Sequence, residues 1–191
     1  MRRPAAFLDR DGVINLDHGY VVRREDFAWV PGVREAAAQL HRAGFALVVV
    51  TNQSGIGRGM YSEAEFFALT EWMRNEFAAA GAPLSGVYFC PHHPTDAVGA
   101  FRTQCACRKP APGMLLSAAG ELDLDLGRSI LFGDKVSDLQ AAAAAGVPHR
   151  VLLATDGVGA PDPAPEGLAT AAFASLTGAV HAQPWARRVA A

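Results

Sequence analysis

The run "FALVVV" at residues 45–50 has no polar side chain and ends on three β-branched residues. Such a strand has no face to turn toward water, so it belongs inside a sheet covered on both sides. Four other short apolar runs repeat the pattern: "AAFL" (5–8), "GVYF" (86–89), "SILFG" (129–133) and "RVLLA" (150–154). Segments with helical spacing separate them. "VREAAAQLHRA" (33–43) follows Pro31 and runs into Gly44. Ser62 and Glu65 form a capping-box pair at the head of a helix reaching about Ala80, with Gly81 beyond it. Pro112 opens a helix to about Gly120, and "SDLQAAAAAG" (137–146) is a short alanine-rich one. This alternation predicts an α/β fold with a doubly wound, mainly parallel sheet. "AAFASL" (171–176) adds an edge strand. A chain of 191 residues is long enough for one core, so a single domain over 1–191 is expected, with an Ala/Pro/Gly-rich tail from about 156.

In doubly wound sheets, ligands bind outside the carboxyl ends of the strands. The residues following the first four strands are Asp9, Thr51, Cys90 and, after Gly133, Asp134. Asp9 and Asp11 flank one residue in "FLDRDGVIN", where Asp-Gly is also ordinary turn chemistry. "TNQSGIGRG" is a glycine-rich loop able to cradle an anion with backbone N–H groups. "GDKVSD" adds Asp134 and Asp138, which alone would read as helix caps.

All three cysteines lie in "CPHHPTDAVGAFRTQCACRKP" (90–110). Cys90-x-His92 followed by Cys105-x-Cys107 supplies four ligands of the kind Zn²⁺ takes in a closed tetrahedral site, with His93 as a competitor for the imidazole position. The alternative is that the cysteines are small buried hydrophobes. A fully ligated site has no open position, which makes it a structural staple for the loop at about 90–109.

Composition excludes some classes. A net charge of −2 gives no footprint for nucleic acid, and the pairs Arg2–Arg3, Arg23–Arg24 and Arg187–Arg188 are scattered. No apolar run approaches the roughly 18 residues of a membrane span. The apolar stretch after "MRRP" is too short for a signal peptide, so a cytoplasmic protein is expected.

The ordered set Asp9, Asp11, Val13, Thr51, Lys109, Asp134 and Asp138 resembles the haloacid dehalogenase (HAD) phosphohydrolase superfamily over roughly residues 5 to 155. The resemblance implies that Asp9 is the nucleophile and Asp11 the general acid and base. It implies Mg²⁺ on Asp9, Asp134 and the Asp11 main-chain carbonyl, with Asp138 supporting the metal through water. Thr51 and Lys109 would hold the phosphoryl oxygens. The C-x-H…C-x-C insertion running into "CRKP" is similar to the zinc-containing group that holds heptose-bisphosphate and histidinol-phosphate phosphatases. Strings such as "DHGYV", "CPHHP" and "CRKPAPGM" favour the heptose branch. That group implies His92 over His93 as the ligand. It also implies substrate contacts from Asp17, His18, Gly19 and Tyr20, from Asn52, Gln53 and Ser54, and from Arg108 and Lys135. From chemistry alone Asp17 to Tyr20 reads equally well as a surface loop. No large cap domain is expected, because too few residues separate Asp11 from the first helix. The implied partner is a small phosphorylated sugar, and the chain is expected to be a monomer. A zinc-stapled binding module on an inactive HAD fold is the rival from another class.

Overall fold

The computed structural model describes residues 2–182, so Arg187–Arg188 lie outside the described residues. Six strands, β1 (Ala5–Leu8), β2 (Ala46–Asn52), β3 (Leu84–Cys90), β4 (Ile130–Gly133), β5 (His149–Leu153) and β6 (Ala171–Phe173), form one sheet in the order β3-β2-β1-β4-β5-β6. Every pairing is parallel. Helices α1 (Val33–Arg42), α2 (Ser54–Gly57), α3 (Glu63–Ala79), α4 (Gly113–Glu121), α5 (Val136–Ala144) and α6 (Leu176–Ala182) accompany the sheet, with short 3-10 turns in the connections.

The side-chain alternation of β1 explains the two layers. Ala6 and Leu8 join Leu40 of α1, Met73 and Phe77 of α3, and Leu176 of α6 in one core. Ala5 and Phe7 join Met114 and Leu115 of α4 and Leu139 of α5 in the other. Both faces of the central strands are therefore dry, as the unbroken apolar run of β2 requires. The parallel register sets Leu8 beside Val49 and Phe132, which brings the ends of β1, β2 and β4 to one edge. The order of connection reverses between β1 and β4, and such a switch point opens a crevice at that edge.

β1 lies where the sequence places it, and α3 begins with the expected capping box: the Ser62 hydroxyl accepts from Glu65 N–H at 3.2 Å, and Ser62 N–H donates to Glu65 at 2.8 Å. Other boundaries differ. β2 runs on through Asn52, so Thr51 lies within the strand. β3 begins at Leu84 and includes Cys90, because its pairing with β2 continues to that residue. Ser129 is outside β4; its hydroxyl accepts from Ala5 N–H at 2.8 Å and donates to the Asp125 carbonyl at 2.6 Å. The first turn of the glycine-rich loop is helical as α2. "AAFASL" is a strand only to Phe173, and α6 follows. Leu176, Ala179 and Val180 have the helical spacing that buries them in the core shared with α1.

Candidate active site

The Lys109 side chain is almost fully enclosed, with the residue 3% exposed. Its ammonium lies 2.8 Å from Asp9 Oδ1 and 2.6 Å from Asp138 Oδ1, and it donates to the Val50 carbonyl at 2.9 Å. Three acceptors match the three N–H bonds of the group. Burial alone would lower the Lys109 pKa, but Asp138 and Asp9 outweigh it and the net shift is upward. Asp9 follows β1 and is anchored by its own N–H, which donates to the Phe132 carbonyl of β4 at 3.1 Å. Burial pushes its carboxyl up to about 7 against the pull of Lys109, with Asp138 and Asp134 adding to the rise.

Asp134 follows β4. One of its oxygens accepts from the Thr155 hydroxyl at 3.0 Å, whereas Oδ1 is buried without a hydrogen-bond partner. Burial raises its carboxyl to about 6, opposed by Lys135. Oxygens of Asp9, Asp134 and Asp138 lie within 4.8 Å of one another. An orphaned carboxylate oxygen beside two more acids is the donor set a hard cation such as Mg²⁺ takes. Asp138 is the most engaged of the three: Oδ1 meets Lys109 and Oδ2 accepts from Lys135 N–H at 3.0 Å. The close approach of these acids depends on glycine. A Cβ on Gly12, whose φ is +87°, would sit 2.2 Å from Asp134 Oδ2, and one on Gly133 would sit 2.4 Å from the Asp138 Cβ.

Asp11 is held differently. Buried Arg10 donates to it through Nε at 3.2 Å and through its terminal nitrogen at 2.9 Å. Asn15 and Gln53 donate at 3.1 and 2.9 Å. The same Gln53 nitrogen donates to the Thr51 hydroxyl at 2.8 Å, and the Tyr61 hydroxyl donates to the Gln53 carbonyl at 2.5 Å. Sequence reasoning missed Arg10, Asn15 and Tyr61. An arginine flanked by acids reads as a solvated loop residue, and only the fold shows that it is enclosed and donates to the Val21 carbonyl as well.

Two cavities meet here. The smaller, about 50 Å³, is bounded by Asp9, Thr51, Lys109, Ser137 and Asp138. The larger, about 290 Å³, is bounded by Asp17, Gly19, Tyr20, Gln53, Ser54 and Tyr61 among others. Asp11, Asn52 and Lys135 line both. Lys135 pairs with Asp17 at 3.1 Å, and Asp17 N–H donates to Asp156 at 2.7 Å, which ties the loop to the end of β5. His18 and Arg108 line neither cavity; Arg108 donates to the His92 carbonyl at 3.2 Å. Asn52 directs its amide at the main chain of Lys109.

The cysteine loop closes on itself as the spacing predicts. Sγ of Cys107 lies 3.1 Å from Cys90 and 3.2 Å from Cys105, and Nδ1 of His92 lies 3.4 Å from Cys107 and 3.6 Å from Cys90. Zn–S bonds of about 2.3 Å place tetrahedral sulfurs about 3.8 Å apart, so these four donors fit a single Zn²⁺ with slight expansion. His93 is turned away and accepts from Asp96 N–H at 3.1 Å.

The chain is also similar to known proteins. The family model described as "Hydrolase: haloacid dehalogenase-like hydrolase" matches residues 4–146. A Vibrio cholerae protein named D-glycero-beta-D-manno-heptose-1,7-bisphosphate 7-phosphatase is 52% identical over 155 residues, covering 81% of this chain and 83% of its own. The Escherichia coli K12 protein of the same name is 55% identical over 152 residues, covering 80% of each. Among solved structures, D,D-heptose 1,7-bisphosphate phosphatase of B. bronchiseptica, complexed with magnesium and phosphate, superposes with a TM-score of 0.77 at 34% identity over 93% of this chain and 96% of that one.

Two outcomes follow for metal removal. Asp9 and Asp134 have folded-state pKa values above the ordinary 3.8, so their contribution to stability is present below about pH 4 and lost as pH rises through about 6 to 7. Mg²⁺ favours the ionised forms, so the gain in Tm on adding it to metal-free protein should grow between about pH 5 and about pH 8. A gain that shrinks with rising pH would contradict the site. Elemental analysis should find one zinc per Cys90–His92–Cys105–Cys107 cluster. A strong chelator should lower both Tm and activity, and zinc-free protein of full stability would refute the staple.

Proposed function

Because this chain belongs to the haloacid dehalogenase-like hydrolases, we propose that it is a Mg²⁺-dependent phosphatase removing the 7-phosphate of D-glycero-D-manno-heptose 1,7-bisphosphate. The reaction would serve nucleotide-heptose synthesis for a bacterial surface glycan. The observation that carries the reading is the match to the V. cholerae and E. coli enzymes across four fifths of the chain, with the acid-lysine constellation intact. That same constellation argues against an inactive binding module, which has no use for a buried Lys109 between two carboxylates.

The smaller cavity accommodates the phosphoryl group and the larger one the sugar. Asp11 lines both, which is where the oxygen joining the two parts would sit. In this mechanism Asp9 attacks phosphorus and becomes an aspartyl phosphate. Its Oδ1 is engaged by Lys109 and by Arg10 N–H at 2.8 Å, which fixes the carboxylate plane for that attack. Asp11 delivers a proton to the departing sugar oxygen, then takes one from the water that releases phosphate. Arg10, Asn15 and Gln53 hold Asp11 in place during both transfers. Lys109 and the Thr51 hydroxyl would balance charge on the transferring oxygens. Asp9, Asp134 and the Asp11 main-chain carbonyl would hold Mg²⁺, whose charge would ease the approach of an anionic carboxylate to an anionic phosphate. Asp138 fits a supporting role, since both of its oxygens are engaged by Lys109 and Lys135.

Asp17, Gly19, Tyr20, Gln53, Ser54 and Lys135 are placed to meet the sugar or its second phosphate. Arg108 would reach substrate by exchanging its bond to the His92 carbonyl. No helix among the described residues is long and apolar enough to cross a membrane. We take the enzyme to act as a monomer in the cytoplasm.

The test is kcat/KM on the α and β anomers of the heptose bisphosphate beside histidinol phosphate. At least one heptose anomer should exceed histidinol phosphate by more than about tenfold. A preference for histidinol phosphate would move the chain to that branch, and no hydrolysis of any of the three would revive the binding module.

A further inference from the structure

We infer that Asn52, which lines both cavities, is also a positioning residue whose side chain sets the main chain of Lys109. The inference rests on the proposed role of Lys109 at the phosphoryl group. Asn52 is the last residue of β2 and pairs there with Cys90 of β3. Its side-chain amide makes a two-point bond to one residue: Nδ2 donates to the Lys109 carbonyl at 3.1 Å, and Lys109 N–H donates to Oδ1 at 3.1 Å. The amide thus presents to Lys109 the donor and acceptor that a neighbouring strand would.

Such a partner is needed because residues 105–109 belong to no helix or strand, while Lys109 is buried. Buried peptide groups outside a ladder must find their partners elsewhere. The orientation of the amide is not arbitrary, since the reverse would set oxygen against oxygen and nitrogen against nitrogen. The other end of Lys109 meets the same strand through the Val50 carbonyl. β2 therefore grips Lys109 at main chain and ammonium together, beside the zinc cluster two residues upstream. An aspartate at position 52 would face the Lys109 carbonyl with a second oxygen, and alanine could reach neither group.

The experiment is a double-mutant cycle on the zinc- and Mg²⁺-loaded protein, read by calorimetry with inorganic phosphate as the probe. Asn52→Ala should weaken phosphate binding about tenfold. Lys109→Met should weaken it at least as much. Adding Asn52→Ala to Lys109→Met should cost less than about a further twofold, because the clamp then has no ammonium to place. Asn52→Ser, which keeps a hydroxyl but no amide, should fall between parent and Asn52→Ala and covers the case in which alanine does not fold. Undiminished phosphate affinity in Asn52→Ala or Asn52→Ser, or an effect that multiplies fully in the Lys109→Met background, would overturn this assignment alone. Undiminished affinity in Lys109→Met would overturn the phosphoryl role of Lys109 and this assignment with it.

Discussion

One buried ammonium stands among three buried carboxylates. Lys109 contacts Asp9 and Asp138 directly, and Asp134 completes the acid group on the same edge. The acids outnumber this buried ammonium, and Lys135 at the cavity edge opposes only part of the excess, in a place where water is scarce. Burial of such an excess is costly, and the upward shifts of Asp9 and Asp134 express that cost. A divalent cation is the simplest neutralising partner, and the orphaned Asp134 Oδ1 is an oxygen left for it. The proposed chemistry draws on the same imbalance, because a site that demands positive charge at rest is arranged to hold a metal and to receive a phosphate through it.

The sheet makes this arrangement possible. Parallel strands in register deliver Asp9 and Asp134 from β1 and β4 to adjacent positions, and glycines at 12 and 133 remove the side chains that would keep the acids apart. Lys109 comes from no strand. It arrives on an irregular loop whose ends are fixed by a cluster of four soft ligands on one side and by the Asn52 amide on the other. The zinc loop also shores the wall of the larger cavity. Val98 N–H donates to the Gly57 carbonyl at 2.8 Å, and a Cβ on Gly57 would meet the Pro91 carbonyl at 2.4 Å. The cluster thus bears on Lys109 and, through the Val98–Gly57 bond, on the helix that carries Ser54.

What the sequence discloses follows from how local its physics is. β1, β2 and the capped start of α3 are written in adjacent residues and lie close to where pattern places them. The zinc ligands are legible because soft side chains at that spacing have few other uses, although choosing His92 over His93 needed family resemblance and then geometry. α6 is hidden because its three buried residues acquire meaning only from the helix they pack on. Arg10, and the bond of Asn52 to Lys109, are hidden for a related reason: the partners are a carboxylate or main-chain groups brought near by the fold. Arg108 is named by family resemblance as a substrate contact, and the bond of its guanidinium to the His92 carbonyl is a further partner that the sequence does not disclose.

The central claim is that Asp9, braced by Lys109, receives the phosphoryl group. Rapid acid quenching of enzyme turning over heptose bisphosphate with Mg²⁺, followed by peptide mass analysis, tests it most directly. A phosphoryl group on the peptide containing Asp9, absent from a folded and inactive Asp9→Asn variant, is the predicted result. Full turnover by Asp9→Asn, or a phosphoryl group on another residue, would contradict the account.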